Sequence, residues 1–372
     1  MSNYNIHVIS TNRADISLLY ELVILLQNSD FLNTKVIFIG EISKELDFIN
    51  EFYPIKNKEF IGNGINYSDT HNIIKQTKLL AIDYSEYIKI NKKPDFLICL
   101  GDRFELLSIL QVANIYRIPI VHIHGGDKTI GSMDNETRNA ITKLSRLHCV
   151  VTEDARNNLL NYGEEDWRIE VVGAPGRDIL KKYSKLVTKQ ELLNKLNIEN
   201  KKLAYVAYHP ETNIIKENSI SKTILDPLIS QGIFPVVSRP NPDPYGNKLR
   251  EELKNYSENG SILLLKNSLG AKYVSALMEY SEIMVGNSSS GIFEASLFSL
   301  PVLNIGLRQS GRPTDRNVFS IKNNHDAILE KIKFYSGKRI EVINSIYDYG
   351  NSANNIFTHI NNNLIHLNKS KC

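Results

Sequence analysis

Short apolar runs, each only a few residues long, alternate along this chain with longer amphipathic stretches, and that pattern leaves few choices of fold. Apolar runs separated by helix-length segments specify parallel strands joined by crossover helices. In the first half the strand candidates are Ile6–Ile9, Lys35–Ile39, Asp95–Leu100, Ile120–His124, His148–Thr152 and Glu170–Val172. In the second half they are Ala204–Ala207, Phe234–Val237, Ile262–Leu265, Ile283–Val285 and Val302–Ile305. The expectation is an α/β protein of two Rossmann-like, doubly wound domains, a pair of cores that 372 residues suffice to fill. Turn residues cluster at Gly173-Ala-Pro-Gly-Arg177 and a polar, Lys-rich stretch follows, so the domains are set at 1–173 and 174–344. The Asn-rich tail, 345–372, is helical in pattern and is expected to rejoin the first domain. Two such domains facing each other make an interdomain cleft, and ligands of open α/β sheets bind beyond the carboxyl ends of the strands.

Charge and hydropathy exclude several partners. The 44 Lys and Arg nearly balance the 41 Asp and Glu, for a net charge of +3, and no basic block is interleaved with aromatics. Nucleic acid is therefore not an expected partner. The start, Met1-Ser-Asn-Tyr-Asn, lacks a basic, apolar leader pattern, and nowhere is there an apolar run of the roughly 18 residues that a membrane span needs. A cytoplasmic enzyme with no membrane partner is the expectation. Cys99, Cys149 and Cys372 have no metal-ligand spacing, so no metal site is expected.

The chemistry concentrates at strand ends. His122-Ile-His-Gly-Gly-Asp-Lys-Thr129 follows an apolar run, with Asp134, Arg138 and Lys143 beyond it, so imidazoles and carboxylates gather around glycines that let the backbone approach a substrate. Gly101-Asp-Arg-Phe-Glu105 delivers Asp102 and Arg103 to the equivalent place on the preceding strand, although Asp102 could equally cap the next helix. Thr11-Asn-Arg-Ala-Asp-Ile-Ser17 offers Arg13 to a phosphate and Ser17 to a hydrogen bond, where Arg13 alone reads as well as a surface charge. In the second half, Val285-Gly-Asn-Ser-Ser-Ser-Gly291 ends a strand and opens a helix near Ser289. Its free N–H groups and positive helix end suit a diphosphate, with Glu294 a turn further on for ribose hydroxyls. A Ser-rich cap with Glu294 as a favourable first-turn charge is the plainer alternative. His209-Pro-Glu-Thr212 puts an imidazole at another strand end, and Gly306-Leu-Arg-Gln-Ser-Gly-Arg312 offers Arg308 and Arg312. Asn241, in the Pro-rich loop Ser238–Gly246, is a further candidate contact with the nucleotide.

In order and in form, these motifs resemble the hydrolysing UDP-N-acetylglucosamine 2-epimerases, the family that supplies N-acetylmannosamine for sialic acid synthesis. The resemblance runs from Arg13 to about Val318. It implies a glycosyltransferase-B-like fold with the active site in the interdomain cleft, no cofactor or metal, and release of UDP together with the 2-epimeric sugar. By the same resemblance Asp102 and Asp134 are the acid/base carboxylates and His209 assists at the departing diphosphate. Arg13, Ser17, Arg103, Ser288, Ser289, Glu294 and Arg308 match UDP-binding positions. His124 stands where many members carry a catalytic Glu, and a subset in sialic and legionaminic acid pathways resembles this chain in having His. UDP-N-acetylglucosamine is the first expected substrate, with UDP- or GDP-N,N′-diacetylbacillosamine as the alternative. A glycosyltransferase of the same fold, or a non-catalytic nucleotide-sugar sensor, are the competing classes. Relatives are commonly dimers or tetramers, so the resemblance implies a homo-oligomer.

Overall fold

The structure, a computed structural model, describes residues 4–40, 46–62, 70–130, 134–209, 219–240 and 247–368. It divides into two compact units, one of Met1–Lys128, Asp134–Ile179 and Tyr347–Cys372, the other of Thr129–Met133 and Leu180–Ile346.

Unit 1 contains β1 (Tyr4–Ser10), β2 (Leu32–Ile39), β3 (Lys58–Ile61), β4 (Phe96–Leu100), β5 (Ile120–Ile123), β6 (Leu147–Val150) and β7 (Ile169–Val171). They form one seven-stranded sheet in the order β3-β2-β1-β4-β5-β6-β7, and every pairing is parallel. All of β4 is buried, which explains why its sequence reads as an unbroken apolar run: helices cover both faces. On one face Ile9, Ile37, Leu97 and Cys99 pack with Leu80 and Tyr84 of the helix Thr70–Ile90 and with Leu106 and Ile109 of the helix Phe104–Ile115. Each such side chain contributes about 2 kcal/mol through burial. Cys99 and Cys149 serve as small hydrophobes here, and burial pushes both thiols well above their ordinary range. The helix Ser352–Asn362 also belongs to unit 1 and packs on the helix Arg13–Gln27. Asp178 fastens its start by accepting the N–H groups of Ser352 and Ala353 at 3.2 and 2.8 Å.

Unit 2 repeats the plan with β8 (Lys202–Ala207), β9 (Ile233–Val237), β10 (Leu263–Leu264), β11 (Ser281–Gly286), β12 (Val302–Ile305) and β13 (Val318–Ile321). Its six-stranded sheet runs β10-β9-β8-β11-β12-β13, again parallel throughout. Val206, Val285, Leu303 and Ile305 face Ile224, Leu228, Leu253 and Ile328 in its core. The two doubly wound sheets are as the alternation predicts. β3 and β13 are additions, since neither was visible as an apolar run.

Strand order reverses between β1 and β4 in unit 1 and between β8 and β11 in unit 2. At such a point adjacent crossovers leave on opposite faces, and a crevice opens beyond the strand ends. The segments that follow these four strands are Thr11–Arg13, Gly101–Arg103, Tyr208–His209 and Asn287–Ser289, the stretches singled out above. Among the described residues no helix is long and apolar enough to cross a membrane.

Candidate functional site

In unit 1 the site is organised around a buried cation. Arg138 lies one turn into the helix Asp134–Leu144, with its side chain 1% exposed. Its Nη2 donates to Asp102 Oδ2 and its Nη1 to the Asp127 carbonyl at 2.9 Å. Burial alone would lower the pKa of this guanidinium, but the carboxylates of Asp102, Asp127 and Asp134 outweigh it and hold the pKa above its ordinary value. One permanent positive charge thus faces both candidate acid/base carboxylates. Asp102 retains 24% exposure, enough to meet a ligand. The helix after β4 is capped by Arg103, without a side-chain cap bond, so the alternative of Asp102 as that helix's cap is ruled out.

The glycine loop after β5 explains its own composition. A Cβ on Gly126, at φ +82°, would sit 2.3 Å from the Ala155 carbonyl oxygen. No residue but glycine fits that approach. Asn158 Nδ2 holds the Gly126 carbonyl at 2.9 Å, and His124 is 7% exposed with a left-handed φ of 66°. For a non-glycine residue that conformation carries strain, a feature concentrated at functional sites.

Arg13 begins the helix Arg13–Gln27 behind its cap Asn12, half-buried. Ser17, expected at the nucleotide, accepts the Tyr53 hydroxyl at 2.9 Å. Arg103, also expected there, is bound bidentately by the fully buried Glu105, Nη2 to Oε1 at 2.8 Å and Nε to Oε2 at 3.2 Å. Asp15 is buried beside this pair and accepts from Thr11 N at 2.9 Å and Thr11 Oγ1 at 2.5 Å. Burial pushes its pKa up to about 6, against the opposing pull of the Thr11 bonds and Arg103.

Unit 2 builds its strand ends from backbone and amide groups. Gly286 has φ 149°, and a Cβ there would lie 2.1 Å from the Ala207 carbonyl oxygen, so β8 and β11 approach too closely for any side chain. The next residue, Asn287, is fully buried. Its Oδ1 accepts from His209 N at 2.7 Å, its Nδ2 donates to the His209 carbonyl at 2.8 Å, and its own carbonyl accepts Gln309 Nε2 at 2.8 Å. One side-chain amide therefore fixes the backbone that presents His209. Ser288 caps the helix Ser289–Phe293, accepting from Ser290 N. That helix is only five residues long, shorter than its sequence suggested: Glu294 ends it, and Ala295–Phe298 continues as a 3-10 turn. Glu294, expected within the helix, is instead its buried terminal cap. Arg308 is half-buried in the turn after β12, and Arg312 stacks 4.9 Å from the Phe293 ring centroid.

The candidate residues form two groups, one in each unit. Asp102, Asp134, His124, Arg13, Ser17 and Arg103 lie in unit 1, and His209, Ser288, Ser289, Glu294 and Arg308 in unit 2. Asn241 and Pro210–Thr212 lie outside the described residues. The sequence reading left Arg138, Asn287 and Gln309 out of the functional set. Position gave a signal for Arg138, one turn after Asp134, but its burial has no pattern in sequence. Among the described residues, no group of three or more His, Cys, Asp or Glu is placed to hold a metal ion.

A sequence profile of the UDP-N-acetylglucosamine 2-epimerase family matches residues 26–361. The chain is 33% identical over 344 residues to the GDP/UDP-N,N′-diacetylbacillosamine 2-epimerase (hydrolyzing) of Campylobacter jejuni, covering 90% of this chain and 88% of the relative. With the UDP-N,N′-diacetylbacillosamine 2-epimerase (hydrolyzing) of Legionella pneumophila it shares 30% identity over 334 residues, 87% of each. In three dimensions it superposes on the UDP-GlcNAc 2-epimerase of Neisseria meningitidis bound to UDP-GlcNAc with a TM-score of 0.79, at 18% identity, over 96% of this chain and all of the other. The fold is glycosyltransferase-B-like, and the chain belongs to the UDP-N-acetylglucosamine 2-epimerase family.

Proposed function

We propose that the protein is a hydrolysing 2-epimerase that converts a nucleotide-linked N,N′-diacetylbacillosamine and water to the nucleoside diphosphate and the free 2-epimeric sugar. The motifs put UDP-N-acetylglucosamine first and this substrate second. The two relatives that each span nearly nine-tenths of the chain favour the reverse order. The observation that carries the reaction type is Arg138, a buried guanidinium facing both Asp102 and Asp134.

The C2 hydrogen of a 2-acetamido sugar is weakly acidic, so its removal is coupled to cleavage of the C1–O bond to the diphosphate. The leaving group takes the bonding electrons, and a 2-acetamidoglycal remains. Water then forms the new C1–O bond while a proton returns to C2 from the opposite face, inverting that centre. Asp102 and Asp134 divide these proton transfers, one removing the C2 proton as a carboxylate and releasing it to solvent. The other returns its own proton to C2 and takes up the one that water gives up, while Arg138 orients them. His124, in the glycine loop, serves as a proton shuttle. Unit 2 grips the leaving nucleotide: His209 and Arg308 at the diphosphate, Ser288 with its hydroxyl, Ser289 with its N–H group, and Glu294 at the ribose. Arg13, Arg103 and Ser17 complete the nucleotide contacts, with Asn241 a further one. By resemblance the enzyme works in the cytoplasm as a homo-oligomer, without cofactor.

Incubation with UDP-N,N′-diacetylbacillosamine in D2O tests the proposal by NMR. UDP and a free 2-epimer carrying deuterium at C2 are expected. Turnover of UDP-N-acetylglucosamine alone would overturn the substrate assignment, and transfer of the intact sugar to an added acceptor would overturn the reaction type.

A further inference from the structure

The ring of His122 lies at a crossing of three segments that carry the proposed acid/base groups. It is fully buried in β5. Its Nε2 is 2.8 Å from the Gly101 carbonyl oxygen, which can only accept, so Nε2 carries the proton. Nδ1 is then an acceptor and takes the Thr142 hydroxyl at 3.3 Å. Thr142 stands on the helix that bears Asp134 and Arg138. A Cβ on Gly125, next to His124, would be 3.0 Å from Nδ1, so the ring packs on that loop as well.

The bond to Gly101 has a specific geometric consequence. Gly101 follows β4 with φ +83°, and its N–H donates to the Ile123 carbonyl at 2.9 Å. Its carbonyl, held by His122, belongs to the peptide plane that leads into Asp102. Consecutive residues of β5 therefore tie both sides of the one residue before the carboxylate. We propose that His122 is a positioning residue for Asp102: a ring locked as the Nε2–H tautomer that clamps the Gly101–Asp102 peptide and so aims the Asp102 carboxylate. Burial supports this state by lowering the ring's pKa to about 4, partly opposed by the Gly101 carbonyl. Arg138 and His124 lower it further, Asp102 raises it, and His148 faces it from β6. The inference rests on Asp102 acting in the reaction.

Two substitutions separate aiming from bulk. The amide nitrogen of Gln reaches the level of the ring's Nε2 and can still clamp Gly101, whereas Asn reaches only the level of Nδ1. With UDP-N,N′-diacetylbacillosamine, His122→Gln is expected to keep kcat within about tenfold of the parent and His122→Asn to lose about 100-fold, the scale of one misplaced acid/base group. UDP affinity, measured by calorimetry, should be unchanged in both. Thr142→Val, which frees Nδ1 while keeping the side-chain volume, should lower kcat about tenfold without moving the Kd for UDP. Equal kcat for Gln and Asn variants, losses that follow the melting temperature, or a fully active Thr142→Val enzyme would overturn the proposal. An Asp102→Asn control separates the layers. Full turnover there removes the role of Asp102 itself, whereas an inactive Asp102→Asn beside a fully active His122→Asn removes only the positioning role.

Discussion

The two units share one topology and place their candidate residues after equivalent strands, yet they hold those residues by different means. In unit 1 the strand ends carry ionisable groups held by counter-charges or hydrogen bonds: Asp102 by Arg138, Glu105 by Arg103, and Asp15 by the Thr11 N–H and hydroxyl. In unit 2 amides and bare backbone do the holding, with Gly286, Asn287 and Gln309 shaping the site. The contrast suits a division in which one unit moves protons and the other grips a preformed anion. A proton-transfer group must be aimed and held in the right protonation state at the start of its step. A diphosphate needs donors that are already in place.

The sharpest break of this contrast is at Arg138. Replacing it with Met leaves Asp102 and Asp134 without their buried partner, which should cost about 3 kcal/mol of stability by urea unfolding and at least about 100-fold in kcat. A stable, active variant would mean that unit 1 does not depend on its buried charge. In unit 2 the matching damage is steric. Gly286→Ala drives a methyl into the Ala207 carbonyl and should cost about 3 kcal/mol, raising KM with the nucleotide sugar more than it lowers kcat. Asn287→Ala, which strips both bonds from the His209 backbone, should cost about 2 kcal/mol and weaken UDP binding about tenfold by calorimetry.

The smallest effect is a pH dependence confined to one unit. Burial lowers His7 to about 4, His122 to about 4 and His148 to about 2, and all three lie in unit 1. Because the folded pKa is below the unfolded value of 6.5, the unfolded chain takes up protons first on acidification. Stability present above pH 6.5 is therefore lost as pH falls toward 4. Asp15, raised to about 6, works in the opposite sense: its folded form is the better proton binder, so its contribution falls as pH rises from about 4 to 6. His359 is lowered too, and Asp83 and Asp178 are raised like Asp15, so four histidines stand against three carboxyls, and unit 1 should loosen first. Trp167, the single tryptophan, lies in unit 1, so its fluorescence should shift between pH 6 and 4 before the far-ultraviolet signal shared by both units is lost. Coincident transitions would contradict this.

Much of this contrast was legible in the residues. Strands buried on both faces announce themselves as apolar runs, which is why β4 and β11 were visible. β3 and β13 were not, because they are edge strands whose half-exposed positions, as in Lys58–Ile61, leave no run. Asp102 and Asp134 were visible from their place beside turns. Arg138 was singled out beside Asp134 without a role and Asn287 was passed over, since what distinguishes them is burial, which depends on segments distant in sequence. The short helix at Ser289 was misjudged for a related reason: Ile292–Leu300 has a helical composition, yet the chain tightens into a 3-10 turn after Glu294. Arg103 and Ser17 were read as nucleotide contacts, a reading that still stands; what the sequence did not show is that each also has an internal partner, in Glu105 and Tyr53.

The central claim is that unit 1 performs the proton transfers while unit 2 holds the leaving nucleotide. Its most direct test compares Asp102→Asn and Asp134→Asn with the parent enzyme in D2O, measuring UDP affinity and deuterium entry at C2 of UDP-N,N′-diacetylbacillosamine. UDP affinity within about threefold of the parent and C2 exchange at least about 100-fold slower are expected in both variants. Full C2 exchange in either variant, or loss of UDP binding in step with activity, would contradict it.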